Sequence, residues 1–103
     1  MKFFSKLAIQ TYKGVKVADV AWGTEKYFQL HCENICATSA PELCIEILSR
    51  SNTMLEMQEK ISLYLEVGAI EVWLIDQQGL IRFFNAEGEQ QQSCFTTAIT
   101  TLN

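Results

Sequence analysis

The fold is decided by residues 41–76, which read PELCIEILSRSNTMLEMQEKISLYLEVGAIEVWLID. Residues 42–49 and residues 70–75 are apolar runs of strand length. Between them, Thr53 and Glu56 have the capping-box spacing that begins a helix, and Gly68 is placed to end it. A strand, a helix and a following strand form a crossover unit, so the sequence predicts at least two parallel strands.

Further strands are predicted on both sides of this crossover unit. Upstream, residues 7–12 and 15–22 are apolar and β-branched, and the Lys13-Gly14 pair between them predicts a hairpin. Downstream, residues 76–79 predict a turn, and residues 80–84 predict the returning strand. The order of elements therefore places both helix and strand around one sheet.

Two segments have weaker signals. Residues 23–40 lose the alternation of apolar and polar side chains, which indicates a loop or a short irregular helix. The threonine-rich tail, within residues 85–103, is a candidate edge strand. The predicted fold class is α/β of the α+β type, with a mixed β-sheet core, one main helix packed on it, and a single domain over residues 1–103.

Composition limits the classes of function. The chain has 103 residues, of which 49% are hydrophobic, and its net charge is −4. A negative net charge argues against a protein that coats nucleic acid nonspecifically, so any contact with DNA needs a local basic patch or a bound metal ion. No apolar run approaches the roughly 18 residues needed to cross a bilayer. We expect a cytoplasmic protein without membrane contact.

The four cysteines are expected to be reduced and free, because the start of the chain does not resemble an export signal. His31, Cys32 and Cys36 are close in sequence, but Cys44 and Cys94 are isolated thiols rather than a second short-spaced ligand pair. A structural zinc site needs four ligands, commonly in paired short spacings. The sequence therefore does not favour zinc.

Two acids stand out within apolar runs. Period-two alternation places Asp19 on the same side of its strand as Val15, Val17 and Ala21, and Glu46 lies near the middle of its own strand. An ionised carboxylate without a partner is too costly to bury. Either something compensates these two charges, or both side chains point to solvent.

A hard divalent cation would provide such compensation. Mg²⁺, with Mn²⁺ as a substitute, is held by one or two carboxylates together with a backbone carbonyl, here that of Ile47, and water. It would also activate water for attack on a phosphodiester. Lys60 lies at the edge of the apolar stripe of its helix, where its stem can reach inward, and its ammonium could orient water or stabilise charge on phosphate. The alternative is that Asp19 and Glu46 lie on a solvent face and Lys60 forms an ordinary surface pair.

Four pieces of the chain together resemble one family. Residues 41–49, 51–53, 56–68 and 71–76 are similar in order and spacing to the Uma family of restriction endonucleases, which is abundant in cyanobacteria. That family belongs to the PD-(D/E)XK nuclease superfamily, so the resemblance implies a restriction-endonuclease-like mixed β-sheet core. The resemblance covers roughly residues 13–85.

The resemblance implies a Mg²⁺-dependent endonuclease that hydrolyses DNA phosphodiesters. Asp19 takes the place of the first metal-binding acid, and Glu46 takes the place of the second. Leu48 stands where the superfamily usually has a lysine, and the family supplies that lysine from the next helix, which here gives Lys60. The implied catalytic residues are therefore Asp19, Glu46 and Lys60.

This sequence departs from the family pattern at several positions. Ala18 replaces a proline, Glu42 replaces an aspartate, and Arg50 replaces a proline, but none of these removes an implied ligand. The chain is also short at the N-terminus by comparison with the family. A second hypothesis is therefore a catalytically inactive, truncated nuclease-fold module for binding or assembly, which forms a homodimer through an exposed sheet edge.

Aromatic and basic residues offer further contacts for DNA. Trp22, Trp73, Phe83 and Phe84 could stack on bases, but strand alternation favours a place in the core. Five basic residues are candidates for the phosphate backbone, although scattered solubilising charge is the favoured interpretation: Lys13, Lys16, Lys26, Arg50 and Arg82.

Overall fold

The protein forms a mixed six-stranded sheet with helices packed against it. The structure is a computed structural model that describes residues 2–31 and 37–95. In chain order the elements within these residues are β1 (Lys2–Thr11), β2 (Gly14–Gly23), α1 (Glu25–His31), β3 (Leu43–Ile47), α2 (Met54–Glu66), β4 (Glu71–Ile75), β5 (Ile81–Asn85) and β6 (Gly88–Gln90). The strands lie in the sheet in the same order as in the chain. The predicted fold class, a mixed sheet with one main helix, is confirmed.

The β3-α2-β4 unit is the predicted crossover. β3 and β4 pair in parallel, from Leu43 with Glu71 to Ile47 with Ile75, whereas the other neighbouring strands pair antiparallel. Thr53 caps α2 as its sequence position predicts, because its Oγ1 accepts the N–H of Glu56 at 3.1 Å. The helix ends before Gly68, which adopts a φ of 119° that only glycine takes without strain.

The predicted β1–β2 hairpin is present, but its turn is formed by Tyr12 and Lys13 rather than by residues 13–14. Gly14, at a φ of 92°, begins β2 opposite Thr11. Its alternation, however, is interrupted. The register pairs Ser5 with Val20 and Leu7 with Ala18, but Lys6 and Asp19 between them are not paired. Lys6 has a φ of 58°, in the left-handed region that side chains disfavour.

This interruption corrects the predicted alternation of β2. Ala21 is buried as expected, but Val15 and Val17 are exposed, and Ala18 is buried instead. Ala18 belongs to the apolar cluster under the helices, whereas Trp22, an even number of residues away, belongs to the cluster on the other face, so a strict period of two does not hold between them. The faces of the hairpin exchange at Lys6 and Asp19.

The sheet has an apolar cluster on each face. On the face covered by α1 and α2, buried residues include Tyr64 and Ile61 of α2, Phe28 of α1, and Cys44 and Val72 of the central strands. The opposite face contains a smaller cluster, formed by Trp22, Leu43, Ile45 and Trp73. Both tryptophans are therefore core residues, as favoured, while Phe83 and Phe84 are partly buried against the two clusters.

The weaker predictions have mixed outcomes. The segment after β2 contains α1, which is a regular helix of seven residues. The edge strand at the far side of the sheet is β6, ahead of the threonine-rich tail, because Gly88 at a φ of 115° turns the chain back along β5. Cys32 and Cys36, which were considered as zinc ligands, lie outside the described residues, as do residues 96–103 of the tail.

The thiols of Cys44 and Cys94 are free, as expected, and Cys44 is buried. Within the described part of the chain, no helix is long and apolar enough to span a membrane.

Candidate active site

The candidate site lies where β2 and β3 diverge. These strands pair only from Val20 with Ile45 to Trp22 with Leu43. Immediately beyond this ladder, the backbone N–H of Asp19 is donated to Oε2 of Glu46 at 3.3 Å, and the N–H of Ile47 is donated to Oδ2 of Asp19 at 2.8 Å. Side-chain carboxylates thus accept hydrogen bonds from backbone groups that the ladder leaves without strand partners.

Helix α2 adds two donors to Glu46. Nζ of Lys60 lies 2.6 Å from Oε1 of Glu46 and 3.0 Å from the carbonyl oxygen of Val17. One turn further along α2, the hydroxyl of Tyr64 donates to Oε2 of Glu46 at 3.1 Å. Because residues four apart share a helix face, Lys60 and Tyr64 both reach the same carboxylate. The structure thus brings Asp19, Glu46 and Lys60 together.

Lys6 completes the cluster from β1. It stands opposite Asp19 in the hairpin, and its Nζ donates to Oδ1 of Asp19 at 2.9 Å. No sequence pattern marked this residue, because the first strand was predicted to begin at residue 7. The predicted loop at residues 13–14 would also have placed Lys6 opposite Ala21, whereas the register in the structure places it opposite Asp19. Tyr64 lies on the apolar stripe of its helix, which predicts a core position, and no sequence signal marks its hydroxyl.

Burial is uneven across the cluster. The side chain of Glu46 is 1% exposed, Lys60 is 22% exposed, and Asp19 and Lys6 are 24% and 73% exposed. The solvent-face alternative is therefore wrong for Glu46. Two carboxylates face two ammonium groups, so the cluster is electrically balanced, and each of the four carboxylate oxygens accepts at least one hydrogen bond.

The pKa values of the two acids are shifted in opposite directions. Burial raises the pKa of Glu46 above its ordinary value, although Lys60 and Tyr64 oppose this shift. Partial burial also acts to raise the pKa of Asp19, but the hydrogen bond from Ile47 and the contact with Lys6 outweigh it, so this pKa lies below its ordinary value. The pKa of the Tyr64 hydroxyl is raised by burial and by the neighbouring Glu46, so it remains a hydrogen-bond donor.

The oxygen donors suit a hard divalent cation. Asp19 and Glu46 offer carboxylates, which Mg²⁺ prefers. In the parallel ladder the N–H of Leu48 is donated to Ile75 of β4, so the backbone of the preceding residue, Ile47, faces the other way, towards Asp19. The Ile47 carbonyl predicted as a ligand is thus on the side of the site. No set of three or more His, Cys, Asp or Glu side chains converges as a metal site in residues 2–31 and 37–95.

Other predicted contacts lie away from this cluster. Lys13 pairs with Glu59 at 3.1 Å, and Arg82 pairs with Glu89 at 2.8 Å, so two of the five candidate phosphate contacts are in surface ion pairs. A groove of about 350 Å³ between α2 and the β5–β6 hairpin is lined by Gln58, Ser62 and Phe84 among others, and by none of the site residues.

The mixed sheet, with two acids on adjacent strands and a lysine from the crossover helix beside them, has the arrangement that the resemblance to a nuclease family implies. The family model described as "Uma2: Putative restriction endonuclease" matches residues 2–100. The chain belongs to this Uma2 family. The match extends beyond residues 13–85, which the resemblance covers.

A solved structure shares the fold. It is titled a "putative nuclease belonging to DUF820" from Anabaena variabilis, with a TM-score of 0.70 and 23% sequence identity. The similarity covers 89% of this chain and 51% of that one, so the chain spans about half the length of the solved protein. No curated protein matches this chain significantly.

Proposed function

We propose that the protein is a Mg²⁺-dependent endonuclease that hydrolyses DNA phosphodiester bonds in the cytoplasm. The observation that carries the proposal is the convergence of Asp19, Glu46 and Lys60 at the divergence of β2 and β3. Membership of the Uma2 family supports the nuclease class. DNA as the substrate and Mg²⁺ as the metal are the parts of the proposal that go beyond family membership.

The chain's own residues have separable roles in this proposal. Asp19, Glu46 and the Ile47 carbonyl would hold Mg²⁺, for which Mn²⁺ can substitute, and the ion would supply an activated water and a counter-charge for the phosphate. Lys60 is fixed by Glu46 and by the carbonyl of Val17, so its ammonium is preorganised to orient the water or stabilise charge on phosphate.

Tyr64 acts as a positioning residue. Its hydroxyl donates to the Glu46 oxygen that also accepts the Asp19 N–H, whereas Lys60 binds the other oxygen. The carboxylate plane of Glu46 is thereby fixed from both sides. Preorganisation of this kind reduces the free energy spent on aligning a ligand during reaction.

Nicking of supercoiled plasmid DNA tests the proposal. Wild-type protein is expected to nick DNA in Mg²⁺ or Mn²⁺ and not in EDTA, and Glu46→Gln is expected to lose at least about a hundredfold in rate because a metal ligand is removed. Glu59→Gln is the matched control, since Glu59 lies on the exposed side of α2 with Lys13 and should retain full activity. Equal nicking by Glu46→Gln and wild type would refute the proposal.

A second candidate is an inactive nuclease-fold module that binds DNA or assembles as a homodimer. It is favoured by the charge balance of the cluster, in which the ammonium groups of Lys6 and Lys60 neutralise the carboxylates of Asp19 and Glu46. β1 is an edge strand, although the segment at Ala37 pairs with its far end, at Ala8 and Gln10. The rest of β1 is the edge through which a dimer would form.

Sedimentation and DNA binding distinguish the two candidates. An inactive module is expected to sediment as a dimer or to bind a DNA duplex in EDTA. Wild type and Glu46→Gln should then behave alike in both assays. A monomer that nicks DNA only with metal would exclude it.

A further inference from the structure

We propose that Lys6 is a built-in counterion that occupies the position of the divalent cation on Asp19 and must leave it before a metal ion binds. This inference rests on the proposed metal site. It assigns to the first strand a residue that competes with metal, and it makes the metal affinity of the site depend on an ion pair within the hairpin.

The hairpin directs Lys6 to this position. Lys6 and Asp19 stand opposite each other, at the one point between Lys2 and Thr11 where the β1–β2 register is interrupted. Among the described residues, Lys6 is the only non-glycine residue with a positive φ, a conformation that is costly for a lysine. The surrounding structure must impose such a conformation, and here the Asp19 contact and the exchange of hairpin faces occur at the same residue.

The two lysines of the cluster differ in how firmly they are held. Lys60 has two acceptors, one of them the buried Glu46, and its side chain is 22% exposed. Lys6 has a single acceptor, Oδ1 of Asp19, and its side chain is 73% exposed. An exposed ion pair is weak and exchanges readily with solvent and salt, whereas separation of a pair that includes a buried charge is expensive.

An incoming cation would therefore displace Lys6 and leave Lys60 in place. Oδ2 of Asp19 is held by the Ile47 N–H, and both Glu46 oxygens have buried or half-buried donors. Oδ1 of Asp19 is the one carboxylate oxygen of the cluster whose donor is a largely exposed side chain, since Lys6 is 73% exposed. Release of Lys6 opens that oxygen and removes one positive charge from the site.

Mn²⁺ binding to the metal-free protein tests the proposal without reference to activity. The free ion is counted from its electron paramagnetic resonance signal at low ionic strength, for wild type and for Lys6→Met. Loss of an exposed competing ion pair corresponds to an increase in Mn²⁺ affinity of about two- to fivefold. Circular dichroism during heating confirms that the variant is folded, which its exposed position leads us to expect.

Two control variants make the result specific. Lys13→Met removes the same charge from another exposed ion pair on the hairpin turn and should change the affinity by less than about twofold. Asp19→Asn should abolish the Mn²⁺ binding and thereby locate it.

Each outcome is informative. Tighter binding by Lys6→Met alone supports the competition. Equal or weaker binding by Lys6→Met, with binding still lost in Asp19→Asn, overturns the competition and leaves the metal site intact. If neither wild type nor Lys6→Met binds Mn²⁺ at millimolar concentration, the competition and the proposed metal site both fail.

Discussion

Glu46 is the residue on which the site depends most. It is a buried carboxylate that accepts hydrogen bonds from Lys60, Tyr64 and the backbone of Asp19. Burial alone would disfavour its charge, and its raised pKa reflects this. The ammonium of Lys60 is therefore the main compensation that allows the carboxylate to remain ionised within the protein.

Removal of Lys60 is expected to destabilise the protein in a pH-dependent manner. Lys60→Met leaves the Glu46 charge without its counterion, which costs about 3 kcal/mol in the free energy of unfolding at pH 7. The pKa of Glu46 in the folded state is already above its value of 4.5 in the unfolded chain, and this variant raises it further. The loss therefore diminishes as pH falls through the folded pKa towards 4.5, because protonation removes the buried charge.

Urea unfolding at pH 7 and pH 5 measures this effect. The double variant Glu46→Gln with Lys60→Met should recover most of the stability, because neither charge is then buried alone. Lys13→Met, which breaks an exposed pair, should lose less than about 1 kcal/mol. A loss in Lys60→Met that is the same at both pH values would show that Glu46 is not the uncompensated charge.

At the scale of elements, α2 both packs on the sheet and carries two residues of the site, Lys60 and Tyr64. It begins at a side-chain cap, ends before a glycine and crosses from β3 to the parallel β4. Its buried residues, including Met57 and Ile61, fix its rotation over the sheet. That rotation places Lys60 and Tyr64 over Glu46, so the helix contributes to both packing and the polar cluster.

The cap of α2 is expected to contribute measurably to stability. Thr53→Ala removes the acceptor for the N–H of Glu56 and should cost about 1 kcal/mol in the free energy of unfolding. Thr53→Ser keeps a hydroxyl at the same place and should cost much less. Urea denaturation followed by circular dichroism compares the two, and an equal loss in both variants would show that the methyl group, not the cap, is responsible.

At the scale of the whole molecule, the two faces of the sheet are covered differently. Among the described residues, both helices lie on one face, and the other face contains the smaller tryptophan cluster with Phe95 against it. Glu71 holds the segment at Cys94 against this face. Its carboxylate accepts the Trp73 indole N–H at 2.7 Å and the Cys94 backbone N–H at 3.1 Å. Phe95 is thereby held with its ring centroid 5.0 Å from that of Trp22.

Because these hydrogen bonds favour the ionised form of Glu71, we expect the free energy of unfolding to fall at acidic pH. Burial acts to raise the pKa of Glu71, but hydrogen bonds from Cys94, Ser93 and Trp73 outweigh it, so the folded pKa lies below the ordinary 4.5. Its contribution to stability is complete above about 4.5 and is lost as pH falls through the lower folded pKa. Glu71→Gln should cost about 1–2 kcal/mol at pH 7.

Thermal unfolding at pH 7 and pH 3 checks this expectation. The difference between wild type and Glu71→Gln should narrow at pH 3, because the Glu71 carboxyl of the unfolded chain, with its ordinary pKa of 4.5, is protonated there. Glu87→Gln, on the exposed turn before β6, is the matched control and should behave as wild type at both pH values. A difference that widens on acidification would contradict the proposed ionisation of Glu71.

The sequence by itself determined the parts of this protein that depend on neighbours in the chain. The Thr53 cap, the turn at Gly14 and the apolar runs around Glu46 act within a few residues, so they predicted the hairpin, the crossover helix and the parallel strands. The same runs identified Asp19 and Glu46 as acids that require compensation, because the cost of burying a charge can be recognised from its apolar neighbours.

Only the tertiary structure decided what compensates those acids. Lys6, the hydroxyl of Tyr64 and the exchange of hairpin faces at Asp19 depend on how β1, β2, β3 and α2 meet. Alternation within one strand cannot anticipate this, because Ala18 and Trp22 have the same parity and yet are buried on opposite faces of the sheet. Distances between residues far apart in the chain are set by packing of the whole sheet, and the hydrogen bonds of Glu46 become fixed only when that packing is complete.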